Sequence, residues 1–126
     1  MLEYLKFSAI CYIQGVFEIK VEVNDGIVSY SMLAPFASHK KELSAEKSKV
    51  ILGAIEEIEI NKWRSNYASQ DGIYMDGTFW KLDYKVSDKR CRHINGDNVY
   101  PDNFDLLVNA FYILSKFEFL EIFEQS

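Results

Sequence analysis

The 126-residue chain holds only two prolines, two cysteines, two histidines and six glycines. Each shortage excludes something. With so little proline and glycine there is no linker and no low-complexity stretch. Two cysteines cannot build a disulfide scaffold or a paired-cysteine zinc centre. Cys11 and Cys91 each fall in a predicted strand, where a free thiol behaves as a small buried hydrophobe. A bridge between them would need an oxidising compartment, and no secretory context accompanies it. Two histidines, His39 and His93, leave any histidine-based metal site to be completed by carboxylates or thiolates. The chain has no glycine-rich phosphate loop, no His-Glu-x-x-His helix and no Gly-x-Ser-x-Gly elbow, so no metal or cofactor is expected.

Long apolar runs are also missing. The longest apolar-rich stretch, Phe104 to Phe123, is interrupted by Asp105, Asn109, Ser115, Lys116, Glu118 and Glu121. No window approaches the ~18 residues of a membrane helix. Met1 to Lys6 lacks a basic run followed by an apolar one, so no secretory leader is expected and the setting read from the sequence is cytoplasmic. Basic residues are outnumbered, 14 against 19, for a net charge of −5. An acidic chain repels a phosphate backbone unless its cations gather on one face, which disfavours nucleic acid as a partner.

What is present is apolar and aromatic. Hydrophobic residues make up 48% of the chain and aromatic ones 15%. A chain of this length forms one domain and buries roughly two thirds of its unfolded surface. Disorder would need the opposite composition.

Periodicity places the elements. Tyr4 to Ile13 reads as a strand, followed by a turn at Gln14-Gly15. Phe17, Ile19, Val21 and Val23 alternate with Glu18, Lys20 and Glu22, a strand with one wet face. Asn24-Asp25-Gly26 is a tight-hairpin signal, and Ile27 to Leu33 is the return strand. Ala34 to Leu43 reads as a loop. Ser44 is the N-cap of a helix whose stripe is Val50, Ile51, Ala54, Ile55 and Ile58. Ile58 to Tyr67 reads as a further strand, and Ser69 to Gly77 as a loop. Trp80, Leu82, Tyr84 and Val86 alternate with Lys81, Asp83 and Lys85. Ser87 to Lys89 turns the chain, Arg90 to Ile94 returns, and Asn95-Gly96 breaks the pairing. Pro101 suits the first turn of a second helix.

The expected class is therefore α+β: an antiparallel sheet of about six strands with two helices on one face. The stretch Phe17 to Asp25 lines up with Trp80 to Asp88. This suggests two β-β-β-α repeats, residues 1–57 and 58–126. A chance likeness between two amphipathic hairpins explains the alignment equally well.

Four regions could carry function. Lys85, Lys89, Arg90, Arg92 and His93 make a basic hairpin suited to a phosphate or an acidic partner, or simply a solvated hairpin end. Trp63, Tyr67 and Phe79 flank a loop and read as an aromatic rim, whereas Trp80 and Tyr84 share the face assigned to the core. Asn95 to Asp102, with Asn98 and Tyr100 at its centre, is oxygen-rich. Its spacing departs from a calcium loop and fits turn and capping chemistry. The segment from Lys116, with Phe117, Phe119, Leu120, Ile122 and Phe123, should dock on its own domain or on a second copy of the chain. Cys91 and His93 lie two apart on one predicted strand and so share a face, but a Cys–His nucleophile is the weaker explanation of that spacing.

Ile60-Asn61-Lys62-Trp63, Tyr67, Asp76-Gly77-x-x-Trp80 and Gly96-x-Asn98-x-Tyr100-Pro101-x-Asn103-Phe104 together resemble a pattern found in a group of small uncharacterised bacterial proteins. The likeness covers about residues 58–113. It implies a bacterial or prophage origin and no catalytic residue. The expected function is a non-catalytic binding, inhibitor or immunity-type module that recognises a protein or small ligand. The alternatives are a small enzyme on a phosphate-bearing or nucleotide substrate, with Arg90, Arg92 and His93 holding the anion and Asp76 or Asp97 as base, and an assembly protein.

Overall fold

Alternation decides which side of each strand is dry. A computed structural model describes residues 2–11, 15–34, 37–68 and 78–124. Strand β1 spans Leu2–Cys11, β2 Gly15–Asn24, β3 Ile27–Ala34 and β4 Ala37–Glu42. Helix α1 covers Ala45–Ile58, and a single 3-10 turn follows at Ile60–Lys62. Then come β5, Asn66–Ala68, β6, Thr78–Val86, β7, Arg92–Asp97, and helix α2, Phe104–Glu124.

The strands form one seven-stranded sheet in the order β4-β3-β2-β1-β6-β7-β5. Every neighbouring pair is antiparallel except β5 and β7, which are parallel. Leu5, Phe7, Ala9, Ile19, Val21, Trp80, Leu82 and Ile94 are buried on one face. Ile51, Ile55 and Ile58 of α1 and Leu107, Ala110 and Leu114 of α2 complete the same core. The other face carries the alternate residues, among them Lys6, Glu18, Lys20, Glu22, Asp83 and His93, joined in surface ion pairs. An antiparallel sheet tolerates one solvated face, and such pairs contribute little to stability.

Local chemistry explains several boundaries. Asp25 and Gly26 both take positive φ, 53° and 79°, the backbone a two-residue hairpin with the right twist demands. Ser44 caps α1 by accepting the Lys47 N–H at 3.3 Å. One turn on, the buried Ser48 hydroxyl accepts the Val28 N–H at 2.9 Å, while the Leu43 N–H donates to the Val28 carbonyl at 2.8 Å. Together these bonds tie the start of α1 to β3. Glu59, left-handed at φ 55°, ends the helix.

The structure corrects the sequence reading in five places. Ala37–Glu42 is a strand, not a loop; as an edge strand it needs no apolar alternation, and its charges discourage further pairing. The expected strand over Ile58–Tyr67 is the end of α1, the 3-10 turn and the first two residues of β5. The sheet is therefore mixed and has seven strands rather than about six. β7 runs through Asn95-Gly96 instead of stopping there. Pro101 precedes α2, whose first residue is Phe104, and its carbonyl accepts the Phe104 N–H at 3.1 Å.

Both hairpins that align in sequence do flank β1. Their surroundings do not repeat, because β1 sits beside β2 at the centre, whereas β5 lies at the edge beside β7 and away from β6.

Candidate functional site

β alternation splits the charges of the basic hairpin between the two faces of the sheet. Arg92 points to the helix side. Its guanidinium donates to the carbonyls of Ile60 at 3.1 Å, Asn61 at 3.0 Å and Trp63 at 2.6 Å. The planar fork thus closes the 3-10 turn after α1, a job that needs several donors in fixed geometry. His93 points to the opposite face, where Nδ1 lies 2.6 Å from an Asp83 carboxylate oxygen. Lys85 is held by Glu3 at 3.4 Å and donates to the Val86 carbonyl at 2.9 Å. Lys89 and Arg90 are exposed, and their side chains form no ion pair among the described residues.

These two cations stand at the mouth of a groove. A hollow of about 200 Å³ is lined by Asn61, Tyr84, Val86, Lys89, Arg90 and Arg92. A larger one of about 380 Å³ is lined by Leu2, Leu52, Ile55, Glu56, Tyr84 and Val86. Tyr84 and Val86 belong to both, so the hollows meet there. One end is apolar and the other cationic, with Glu56 on the lip of the apolar end. Burial pushes the Tyr84 hydroxyl above the usual phenol range; Arg92 opposes that shift and Glu56 adds to it. The phenol therefore stays protonated at neutral pH and can donate a hydrogen bond.

The predicted aromatic rim is a different matter. Trp63 and Tyr67 are buried, which corrects their assignment to a functional rim. The Trp63 indole N–H donates to Asn103 Oδ1 at 2.8 Å, and the Asn103 amide donates to the Ile58 carbonyl at 2.6 Å. The Tyr67 hydroxyl accepts the Arg64 N–H at 2.9 Å. Both rings pack on Trp80, at 6.3 and 5.9 Å between centroids. Tyr100 stacks on Trp80, at 6.1 Å and an interplanar angle of 9°, and lies 4.7 Å from Phe104 between ring centroids. Asn98 holds a positive φ of 58° in the turn that brings the Val99 carbonyl to the Trp80 N–H, 3.0 Å away. Phe79 is exposed, faces the open side of the sheet beside Lys81, and pairs across the strands with Ile10.

Gly96 explains why the pattern around these residues is so specific. It lies opposite Trp80 on one side and Tyr67 on the other. A Cβ at this position would run into the Trp80 indole. The spaced Trp, Tyr, Trp, Gly, Tyr, Asn and Phe are thus one aromatic cluster with its polar atoms satisfied.

Cys91 also departs from expectation: it precedes β7, is exposed and free, and its Sγ lies 3.9 Å from the Arg92 carbonyl. His93 is engaged with Asp83, so the two do not form a nucleophile and base. No group of three metal-ligating side chains occurs among the described residues. Asp76 and the side chains of Cys11, His39 and Phe117 to Phe123 lie outside the described residues. No helix among the described residues is long and apolar enough to cross a membrane.

Arg90 and Arg92 line one hollow, whereas His93 and Phe79 lie on the open face of the sheet and the Trp63, Tyr67 and Tyr100 rings pack around Trp80. Sequence reasoning missed Tyr84, Leu52 and Ile55 as groove residues, because core-facing alternation hides a side chain that lines a hollow at the core's edge. The chain matches no protein-family model and no curated protein.

Proposed function

We propose that the protein is a non-catalytic binding module that recognises an anionic group, on a small ligand or a partner, at the cationic end of the groove. The observation that carries this reading is the pair of unmatched side chains, Lys89 and Arg90, beside the fixed charge of Arg92 in a chain of net charge −5. Cations spent on internal bonds would do nothing for a partner, and Lys85 and Arg92 are largely spent that way. An inhibitor or immunity-type protein of bacterial or phage origin would act in this manner, by occupancy rather than chemistry. The enzyme reading needs Arg92 and His93 around one anion, but they lie on opposite faces of β7.

Native mass spectrometry of the protein recovered from bacterial lysate tests the proposal. A bound species present with the wild type and with Lys49→Glu, but absent with Lys89→Glu/Arg90→Glu, is the expected result. A species that survives the double reversal, or none in any arm, refutes it.

Self-assembly through α2 is a second reading. It rests on Val108 and Tyr112, one helical turn apart and 53% and 58% exposed. Light scattering that gives a monomeric mass at high concentration would end it.

A further inference from the structure

We propose that the groove is a site for a single-chain amphiphile, an aliphatic chain ending in one carboxylate, with the head at Arg90 and the chain against Leu52 and Ile55. The inference rests on the anion-binding reading above and adds the ligand's body and its direction.

Three observations carry it. The first is shape. The larger hollow, about 380 Å³, falls in the range of small-ligand sites. Its lining is mainly side chains that gain by excluding water, namely Leu2, Leu52, Ile55 and Val86. A bare inorganic anion would leave that lining wet.

The second is polarity. Among the described lining residues, the three cations, Lys89, Arg90 and Arg92, lie at one end, while the one carboxylate, Glu56, lies at the other. An anionic head is attracted to the first end and repelled from the second, so only one orientation is favourable.

The third is the donor supply. Tyr84 lines both hollows, and its hydroxyl makes no hydrogen bond among the described residues. Arg92 already gives three bonds to backbone carbonyls, so it contributes charge from a fixed position. What remains is the fork of Arg90 and one phenol, with Lys89 as a point charge. A planar two-oxygen head fits that set, since a guanidinium meets a carboxylate in two parallel bonds.

The probe is decanoate, below its micelle concentration, titrated into the full chain and followed by amide chemical shifts. Decanol and inorganic phosphate serve as the half-ligands. Decanoate should move the amides of Ile55, Tyr84, Val86 and Arg90 together, and bind about tenfold tighter than decanol, the equivalent of one charge-assisted contact. Lys89→Glu/Arg90→Glu should abolish that preference, and Tyr84→Phe should weaken decanoate by a few-fold while leaving decanol unchanged. Equal affinity for decanoate and decanol overturns the proposal. If phosphate moves Arg90 and decanoate does no more than phosphate, the amphiphile is wrong and the anion site stands. If neither probe moves the groove, the anion site falls as well.

Discussion

The core has two ends built on different rules. Around β2, β3 and α1 it is mainly aliphatic: Ile19, Val21, Val28, Ile51 and Ile55 are buried, with Tyr30 of β3 a buried aromatic among them and Ser48 the buried polar residue among those described. Around β5, β6, β7 and the start of α2 it is aromatic: Trp63, Tyr67, Trp80, Tyr100 and Phe104 meet at centroid distances of 4.7 to 6.3 Å. Aliphatic side chains ask only for volume and dryness, so many sequences satisfy them. Indole and phenol rings bring polar atoms that must find partners at fixed points. The aromatic end therefore depends on particular residues that are not themselves aromatic, namely Gly96, Asn103 and Arg92.

The sharpest way to break this contrast is one substitution made at both ends. Gly96→Ala should cost about 3 kcal/mol or more in urea unfolding, because its methyl group overlaps the Trp80 indole. Asn103→Ala comes next, at about 2–3 kcal/mol, since it strands both the Trp63 N–H and the Ile58 carbonyl; Trp63 fluorescence should shift with it. Arg92→Met should cost about 2 kcal/mol by freeing the carbonyls after α1, and amide exchange over Ile60 to Trp63 should quicken first. The smallest effect has the opposite sign. Gly53→Ala, exposed on α1 above the aliphatic end with nothing within 4 Å of the added methyl, should stabilise by about 0.5–1 kcal/mol. If Gly96→Ala proves as harmless as Gly53→Ala, the two ends obey the same rule and the contrast is wrong.

This division also governs what could be read from the chain alone. The hairpins were legible because Ile19, Trp80 and Leu82 alternate with charges, and all three are fully buried. The Asn24-Asp25-Gly26 turn and the Ser44 cap were legible because their chemistry is local. Strand β4 was not, since an edge strand carries no period. The stretch after α1 was not either, because its shape is set by Asn103 and Arg92, about 40 and 30 residues away. Trp63 and Tyr67 were read as a rim because they border a loop; they are buried against Trp80, whose indole lies over Gly96, a tertiary fact. The spaced motif was visible, but its meaning was architectural rather than chemical. Of the site, the cations were visible and the trough was not, since two hollows meeting at Tyr84 leave no mark in the order of residues.

The central position of β1 has a consequence during synthesis. Its partner on one side, β2, follows at once, but its partner on the other, β6, ends at Val86. A ribosome working at about 5–20 residues per second delivers that strand on the order of 3–12 s after β2. Throughout this interval the nascent sheet shows one bare hydrogen-bonding edge bearing Leu5, Phe7 and Ala9. The vulnerable moment for this protein is therefore the wait for its sixth strand, when a neighbouring nascent chain could take the place that β6 later fills.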